Sequence, residues 1–194
     1  MFERFTKHAR AVVADAVHHA ERVDAGSVGE EHLLLALLDR EGSRASFALA
    51  SLGVAGRRES VEHSLAEARR RGGLSQADTD ALAGLGIDVT EIVSRVEEAH
   101  GVGALAGDTD GKGRRDRDRG RLTGRRPFSP EAKSTLEKSL RIALGRRDRS
   151  IGDEHILLAL TARSGIAAEV LADHGVTYGA VERVLGGGGE AKAG

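Results

Sequence analysis

Apolar residues recur at every third or fourth position over much of the chain, the spacing that places side chains on one face of an α-helix. Two such stripes are clear: Ala9, Val12, Val13, Ala16, Val17, Ala20 and Val23, then Ala132, Leu136, Leu140, Ala143 and Leu144. No stretch alternates apolar and polar residues for long enough to indicate a β-strand. The pattern therefore predicts an all-α protein.

The two stripes belong to an internal repeat. A shift of 123 residues places Phe5–Ala9 on Phe128–Ala132, and the same shift, without a gap, places 27–37 on 150–160. The longer match pairs Ser-Val-Gly-Glu-Glu-His-Leu-Leu-Leu-Ala-Leu with Ser-Ile-Gly-Asp-Glu-His-Ile-Leu-Leu-Ala-Leu. A register kept over this distance predicts two copies of one unit of four helices.

Helix ends have recognisable signals in both copies. Thr6 and Ser129 precede the first helix and carry the hydroxyl that favours an N-cap. Gly53 and Gly175 follow the third helix, where a glycine commonly ends a helix in the left-handed conformation. The second helix is apolar on nearly all sides, which predicts that it is buried.

Material that belongs to neither copy lies between them. Residues 81–87 echo 48–54, and an apolar stripe follows over 89–99, so we expect an inserted helix pair, a partial third copy. The next stretch has eight Lys and Arg, four Asp and five Gly, which predicts a flexible linker. The expected segments are a first unit at 1–65, the insert at 66–105, the linker at 106–127, a second unit at 128–186 and a disordered tail at 187–194.

Composition excludes several classes of protein. Twenty-nine Lys and Arg against 30 Asp and Glu give a net charge of −1, which does not favour nucleic acid over the whole chain. The absence of cysteine rules out disulfides, cysteine-ligated zinc and thiol catalysis. The longest apolar run, 33–38, is too short for a bilayer, and the amino terminus does not resemble a secretory signal, so we expect a cytoplasmic protein.

Catalytic motifs are missing as well. The segment Gly107–Gly113 approaches a Walker A loop but is one residue short and lacks the Ser or Thr that binds Mg²⁺. No catalytic serine motif and no pair of histidines with metal-binding spacing occurs. We expect a protein that is not an enzyme and uses no cofactor or metal.

Three motifs together resemble the N-terminal domain of ClpC-type Clp/Hsp100 chaperones: Met-Phe-Glu-Arg-Phe-Thr at the start, Gly-x-Glu-His-x-Leu-Leu in both copies, and Phe-Ser-Pro-x-Ala-Lys at the opening of the second. The resemblance covers 1–65 and 127–186. It implies a tandem repeat of four-helix units with pseudo-two-fold symmetry that binds substrates and adaptors. Because the two ATPase modules of such a chaperone do not follow here, we expect a stand-alone module.

The resemblance also implies ligand sites. Glu31 and Glu154 match the glutamates that pair with the guanidinium of phosphoarginine, and first-turn N–H groups suit a phosphate. The preceding Glu30 and Asp153 stand where the family has Thr and would repel a phosphate, so capping of the helix is the alternative role for these carboxylates.

A second implied site is a groove for hydrophobic peptides or cyclic-peptide antibiotics, formed by Phe2, Phe128, Lys133 and Glu137. Phe128 has an alternative role as an anchor of its helix, since it is equivalent to Phe5. We expect His32 and His155 to be buried and bonded to backbone, and His18 and His19 to face solvent.

The favoured function is a non-enzymatic module that binds Clp substrates, adaptors, cyclic peptides or the chaperone itself, and so assists or decoys the ClpC–ClpP protease. A helical nucleic-acid-binding regulator that uses Arg69–Arg71 and the linker arginines is the alternative, with a small enzyme of unrecognised mechanism third. The sequence leaves open whether the two units pack within one chain or exchange between two chains.

Overall fold

A computed structural model of the chain describes residues 2–74, 76–101, 104–106 and 126–187. The expected linker at 106–127 and tail at 187–194 lie almost wholly outside these residues. The described part is helical, with no strand and only two isolated β-bridges, which confirms the all-α prediction. The α-helices are α1 (Lys7–Arg22), α2 (Glu30–Leu38), α3 (Arg44–Ser51), α4 (Arg58–Arg70), α5 (Gln76–Gly84), α6 (Val89–His100), α7 (Pro130–Gly145), α8 (Asp153–Thr161), α9 (Ile166–Asp173) and α10 (Tyr178–Gly187).

The helix ends follow the local chemistry of the sequence. The hydroxyls of Thr6 and Ser129 accept hydrogen bonds from the backbone N–H groups of Ala9 and Ala132, at 3.2 and 3.1 Å. Gly53 and Gly175 adopt φ values of +76° and +80° just after α3 and α9. Both pairs of predicted caps are therefore confirmed.

Two reciprocal backbone bridges join the repeats. Phe5, just before α1, pairs with Ile151, just before α8, and Phe128, just before α7, pairs with Val28, just before α2. The hydrogen bonds include Thr6 N–H to the Ile151 carbonyl at 2.9 Å and Ser129 N–H to the Val28 carbonyl at 3.0 Å. Since each bridge is the other shifted by 123 positions, the two units pack within one chain around a pseudo-two-fold axis.

The second helix of each unit forms the centre of the core. α2 and α8 pack against each other, and their largest apolar side chains are fully buried: Leu33, Leu34, Leu37, Ile156, Leu157, Leu158 and Leu160. Each such side chain contributes about 2 kcal/mol when removed from water. The remaining helices cross between units, α9 on α4 and α10 on α3, so the core is continuous.

The insert occupies one side of this core. α6 packs by Val89 and Val93, and the short 3₁₀ helix Ala104–Ala106 lies between it and α4. The Arg70 guanidinium of α4 binds both carboxylate oxygens of Glu97 of α6, at 2.9 and 2.6 Å. The inserted helix pair is thus attached through the carboxyl end of α4.

Within the described ranges, no single helix has the length and apolar character to cross a membrane. Only α8 and α9 taken together reach those limits, and they are bent by 91° at their junction.

Candidate functional site

The starts of α2 and α8 place the two predicted glutamates in the same local frame. Each helix begins after a glycine, Gly29 or Gly152, and the carboxylate of Glu31 or Glu154 folds back over that glycine. A Cβ at either glycine would collide with the carboxylate, so the carboxylate, the flexible end of its side chain, would have to move away. The repeat motif therefore holds a carboxylate against the positive end of a buried helix.

Both carboxylates carry a guanidinium from elsewhere in the chain. Arg69 Nη2, near the end of α4, binds Glu31 Oε1. Arg44 Nη1, at the start of α3, binds Glu154 Oε1 at 3.1 Å. The Glu31 side chain is 20% exposed and that of Glu154 only 8%, so the first carboxylate is the more accessible. Each site thus shows that its carboxylate accepts a guanidinium.

The histidine after each glutamate caps the amino terminus of the same helix. The Nδ1 atoms of His32 and His155 accept the backbone N–H of Gly29 and Gly152, both at 2.9 Å. The rings take the place of the Glu or Gln of a capping box. Both histidines are buried, which confirms their predicted role.

The two histidines differ at the other nitrogen. His155 Nε2 lies 2.8 Å from Asp148 Oδ2, whereas His32 Nε2 is buried with no hydrogen-bond partner among the described residues. Burial lowers the pKa of His32 to about 4, although Glu31 opposes this shift; Arg69 acts in the same direction as burial. His32 is therefore neutral at physiological pH.

The extra carboxylates Glu30 and Asp153 also differ. Glu30 is buried between the units, where Thr135 Oγ1 donates to its Oε1 at 2.7 Å and Arg163 Nε donates at 3.0 Å. In the other unit, Arg40 is equivalent to Arg163 but bonds Asp15 instead, at 2.9 Å. Within the described part of the chain, Asp153 Oδ2 and Arg40 Nε remain buried without partners. Glu30 thus has a hydrogen-bonded cationic partner, whereas one oxygen of Asp153 has no hydrogen-bond partner among the described residues.

Of the residues of the predicted groove, Phe128 forms the backbone bridge with Val28. Phe128 is half-buried and packs on the core, which supports its anchoring role, while Lys133 and Glu137 are exposed one turn apart on α7. Glu137 lies 3.7 Å from Arg141. The side chain of Phe2 lies outside the described residues, so its place in a groove stays a prediction.

Comparison with known proteins identifies the family in which these features occur. The family model of the Clp repeat N-terminal domain matches residues 4–80 and 127–190, which contain both glutamates and both buried second helices. The chain belongs to the Clp repeat N-terminal domain family. The match leaves out 81–126, which contain α6 and part of α5.

Curated relatives agree with this assignment. The chain is 30% identical over 178 residues to the chaperone protein ClpB of Oceanobacillus iheyensis, covering 91% of this chain and 16% of that protein. It is also 30% identical over 176 residues to the chloroplastic ClpC1 of Arabidopsis thaliana, covering 90% and 14%. The chain thus spans about a sixth of the length of these relatives.

Among solved structures, the N-terminal domain of ClpD from Arabidopsis thaliana is similar over 95% of this chain and 96% of that one, with 20% identity and a TM-score of 0.49. In the described residues of this Clp domain, no cluster of three or more His, Cys, Asp or Glu side chains could hold a metal ion.

One prediction about the histidines is wrong. His18 is exposed as expected, but His19 is buried at the carboxyl end of α1. Its Nδ1 accepts from Arg22 Nη2 and its Nε2 contacts Asp39 Oδ2, both at 2.7 Å. The apolar stripe of α1 did not reveal this because the deciding partner, Asp39, follows a different helix.

The arginines of the alternative nucleic-acid hypothesis are engaged within the Clp domain. Arg69 binds Glu31, Arg70 binds Glu97, and Arg71 donates to the Gln76 side chain at 2.6 Å. Arg126, at the end of the linker, binds Asp24 at 2.6 Å. The carboxylate partners reduce the positive charge that a phosphate backbone would need, whereas Arg71 keeps its charge beside the neutral amide of Gln76. The linker arginines at 107–125 lie outside the described residues.

Proposed function

We propose that this Clp domain captures protein substrates and adaptors by accepting guanidinium-bearing side chains at Glu31 and Glu154. The observation that supports it is the pair of glutamates that already bind arginines of the same chain. An arginine or phosphoarginine side chain of a partner protein would take the place of Arg69 or Arg44. A carboxylate and guanidinium form charge-assisted hydrogen bonds that are about twice as strong as neutral ones.

The phosphoryl group of a phosphoarginine would lie near the first-turn N–H groups, which favour anions. Glu30 does not oppose this strongly, because Arg163 and Thr135 compensate its charge. Asp153 keeps an oxygen without a partner within the described residues, so it would repel the phosphate at the other site. We therefore propose that the Glu31 site is the stronger of the two.

Binding of this kind would connect the chain to the ClpC–ClpP protease. Such a domain binds the same proteins as the chaperone's own N-terminal domain. It would deliver them to the protease when it is joined to the ATPase modules, and it would withhold them when it is separate. The second outcome follows from mass action, since bound substrate is unavailable to the chaperone. The cytoplasm, where such substrates occur, is the proposed location.

Isothermal titration calorimetry with a peptide that contains phosphoarginine tests the proposal, with the same peptide carrying plain arginine for comparison. Glu31→Gln should weaken binding by about tenfold, which corresponds to about 1.4 kcal/mol, and Glu154→Gln should weaken it less. Glu41→Gln, which changes an exposed carboxylate that belongs to neither ion pair, is the matched control. Arg69→Ala should tighten binding because it removes the internal competitor.

Equal affinity of the wild type, Glu31→Gln and Glu154→Gln would contradict the proposal and leave helix capping as the role of both carboxylates. Binding of plain arginine and phosphoarginine with equal strength would restrict the site to the guanidinium.

A cyclic or hydrophobic peptide is a second candidate ligand for the Clp domain. The half-buried ring of Phe128 beside exposed Lys133 and Glu137 supports it, because an aromatic surface next to charged side chains suits a peptide with both characters. Phe2→Ala and Lys133→Ala should each weaken binding of a cyclic-peptide antibiotic in the same calorimetric assay. Unchanged affinity in both variants would exclude this surface.

A further inference from the structure

The α5–α6 hairpin repeats the geometry of the α3–α4 and α9–α10 hairpins. Gly86, Gly53 and Gly175 end the first helix of each with φ values of +80°, +76° and +80°. The next residue then donates its N–H to the carbonyl five positions earlier, from Ile87 to Leu82 at 2.9 Å in the insert. The same bond joins Val54 to Leu49 at 2.9 Å and Val176 to Leu171 at 2.8 Å.

The equivalent apolar positions differ sharply in exposure. Val54 and Val176 are fully buried, whereas Ile87 is 41% exposed. Val61 and Val181, on the second helix of each complete hairpin, are also fully buried. Their counterpart on α6 is Ile92, which is 47% exposed. The insert therefore presents the face that both repeats keep inside.

In the complete hairpins, the equivalent face packs against an apolar helix. In the repeats, α3 and α4 pack on α2, and α9 and α10 pack on α8, the apolar second helices. The insert packs on the domain through Val89 and Val93. Ile92 lies on the same apolar stripe of α6, at its exposed edge. Ile87 and Ile92 are therefore only partly covered by the described residues.

The acidic character of the insert indicates which kind of partner would bind this face. Residues 76–100 contain six carboxylates and a single arginine, so this segment is acidic even though Arg95 pairs with Glu91 and Arg70 of α4 pairs with Glu97. Two copies of such a surface would repel each other, whereas a basic partner would be attracted. Leu85, which is 78% exposed, extends the apolar area beside Ile87.

We propose that the α5–α6 face binds a basic amphipathic helix of a partner protein, in the position that α2 and α8 take in the repeats. Its apolar stripe contacts Leu85, Ile87 and Ile92, and its lysines or arginines face the surrounding carboxylates. This surface lies in the part of the chain that the family match leaves out, and it does not involve Glu31 or Glu154.

Methyl NMR of the wild-type chain provides the test, because only six isoleucines are present. The probe is a synthetic peptide of leucine and lysine with leucines at i, i+3, i+4 and i+7, the spacing of an amphipathic helix. The δ1-methyl signals of Ile87 and Ile92 should shift during titration. Those of Ile151 and Ile156, buried in the core, should stay in place.

Variants of the chain test which residues determine the affinity for the peptide. The double variant Ile87→Ser and Ile92→Ser should bind the peptide at least about tenfold more weakly, as expected for lost apolar burial. Leu144→Ser removes a similarly exposed leucine, at 52%, from α7 and should bind like the wild type. Binding of a phosphoarginine peptide should not change in either, which separates this surface from the glutamate sites.

Three results would overturn the proposal. The first is that the two methyl signals do not shift. The second is equal affinity for a peptide of the same composition whose leucines form no stripe. The third is a concentration-dependent dimer in sedimentation velocity that the double variant abolishes, since a second copy would then occupy the face.

Discussion

The two repeats have nearly the same backbone but not the same polar interactions. At the start of α8, His155 is bonded at both nitrogens, through Gly152 and Asp148. At the start of α2, His32 has only the bond to Gly29, and its Nε2 has no partner among the described residues. One position before the glutamates, the first repeat has the additional partner instead. Glu30 is paired with Arg163, whereas Asp153 Oδ2 has no hydrogen-bond partner among the described residues.

This comparison shows that the repeated motif preserves the backbone and the apolar core, while single substitutions redistribute the buried charge. Position 148 is Asp in the second repeat and its equivalent, 25, is Ala in the first. Position 135 is Thr, whereas its equivalent, 12, is Val. Each repeat therefore leaves a different buried polar atom without a hydrogen-bond partner among the described residues, including His32 Nε2 in the first and Asp153 Oδ2 in the second.

The largest expected difference concerns the buried carboxylates. Glu30→Gln should destabilise the domain by about 3 kcal/mol, because it leaves Arg163 partly buried without its counter-charge. Asp153→Asn should change the free energy of unfolding by less than about 1 kcal/mol, since that carboxylate has little to lose beyond its interaction with the helix dipole. Urea unfolding at neutral pH measures both. Equal destabilisation by the two variants would show that the asymmetry has no energetic consequence.

A somewhat smaller effect is expected from pH. Because the folded pKa of His32 is about 4 and the unfolded value is near 6.5, the unfolded chain binds the extra proton first as pH falls. Neutral His32 therefore makes its full contribution to the free energy of unfolding above pH 6.5. This contribution decreases toward pH 4, and the loss at pH 5 is about 2 kcal/mol.

The control for this prediction is His32→Gln, which keeps a side-chain acceptor for the Gly29 N–H but does not titrate. Its unfolding free energy should decrease less between pH 7 and pH 5 than that of the wild type. Parallel pH profiles for the two proteins would assign the acid sensitivity to other groups.

The smallest effect comes from making the first repeat resemble the second. Ala25→Asp places a carboxylate at the position equivalent to Asp148, on a backbone with the same turn, since Asp24 and Arg147 both have positive φ. The new carboxylate should accept from His32 Nε2, raise the pKa of His32 and stabilise the domain by about 1 kcal/mol. NMR titration of the His32 ring checks the pKa; an unchanged value means that the carboxylate does not reach the ring.

Local features of the fold were predictable because their causes lie within a few residues. The caps at Thr6 and Ser129, the glycines that end α3 and α9 and the buried second helices follow from spacing and side-chain chemistry alone. The positions of Glu31 and Glu154 at helix starts were predictable for the same reason. Their partners were not, because Arg69 is 38 residues from Glu31 and Arg44 is 110 residues from Glu154.

Two sequence-based interpretations needed the tertiary structure to be corrected or completed. The helical pattern predicts that His19 faces solvent, but the side chain is buried and contacts Asp39 at the end of α2. The insert was recognised as a partial repeat from residues 81–87. Only packing reveals that α6 uses Val89 and Val93 and leaves Ile87 and Ile92 open, since periodicity identifies apolar positions without saying which neighbour covers them.

By itself the sequence determined that this protein is all-α, duplicated and a member of the Clp N-domain family, because periodicity, caps and motifs act over short distances. The tertiary structure decided which charges are compensated, which glutamate is accessible and which face of the insert remains uncovered. These properties depend on side chains brought together across the pseudo-two-fold axis. A charge buried at such a contact is stabilised or strained by residues that no local pattern connects to it.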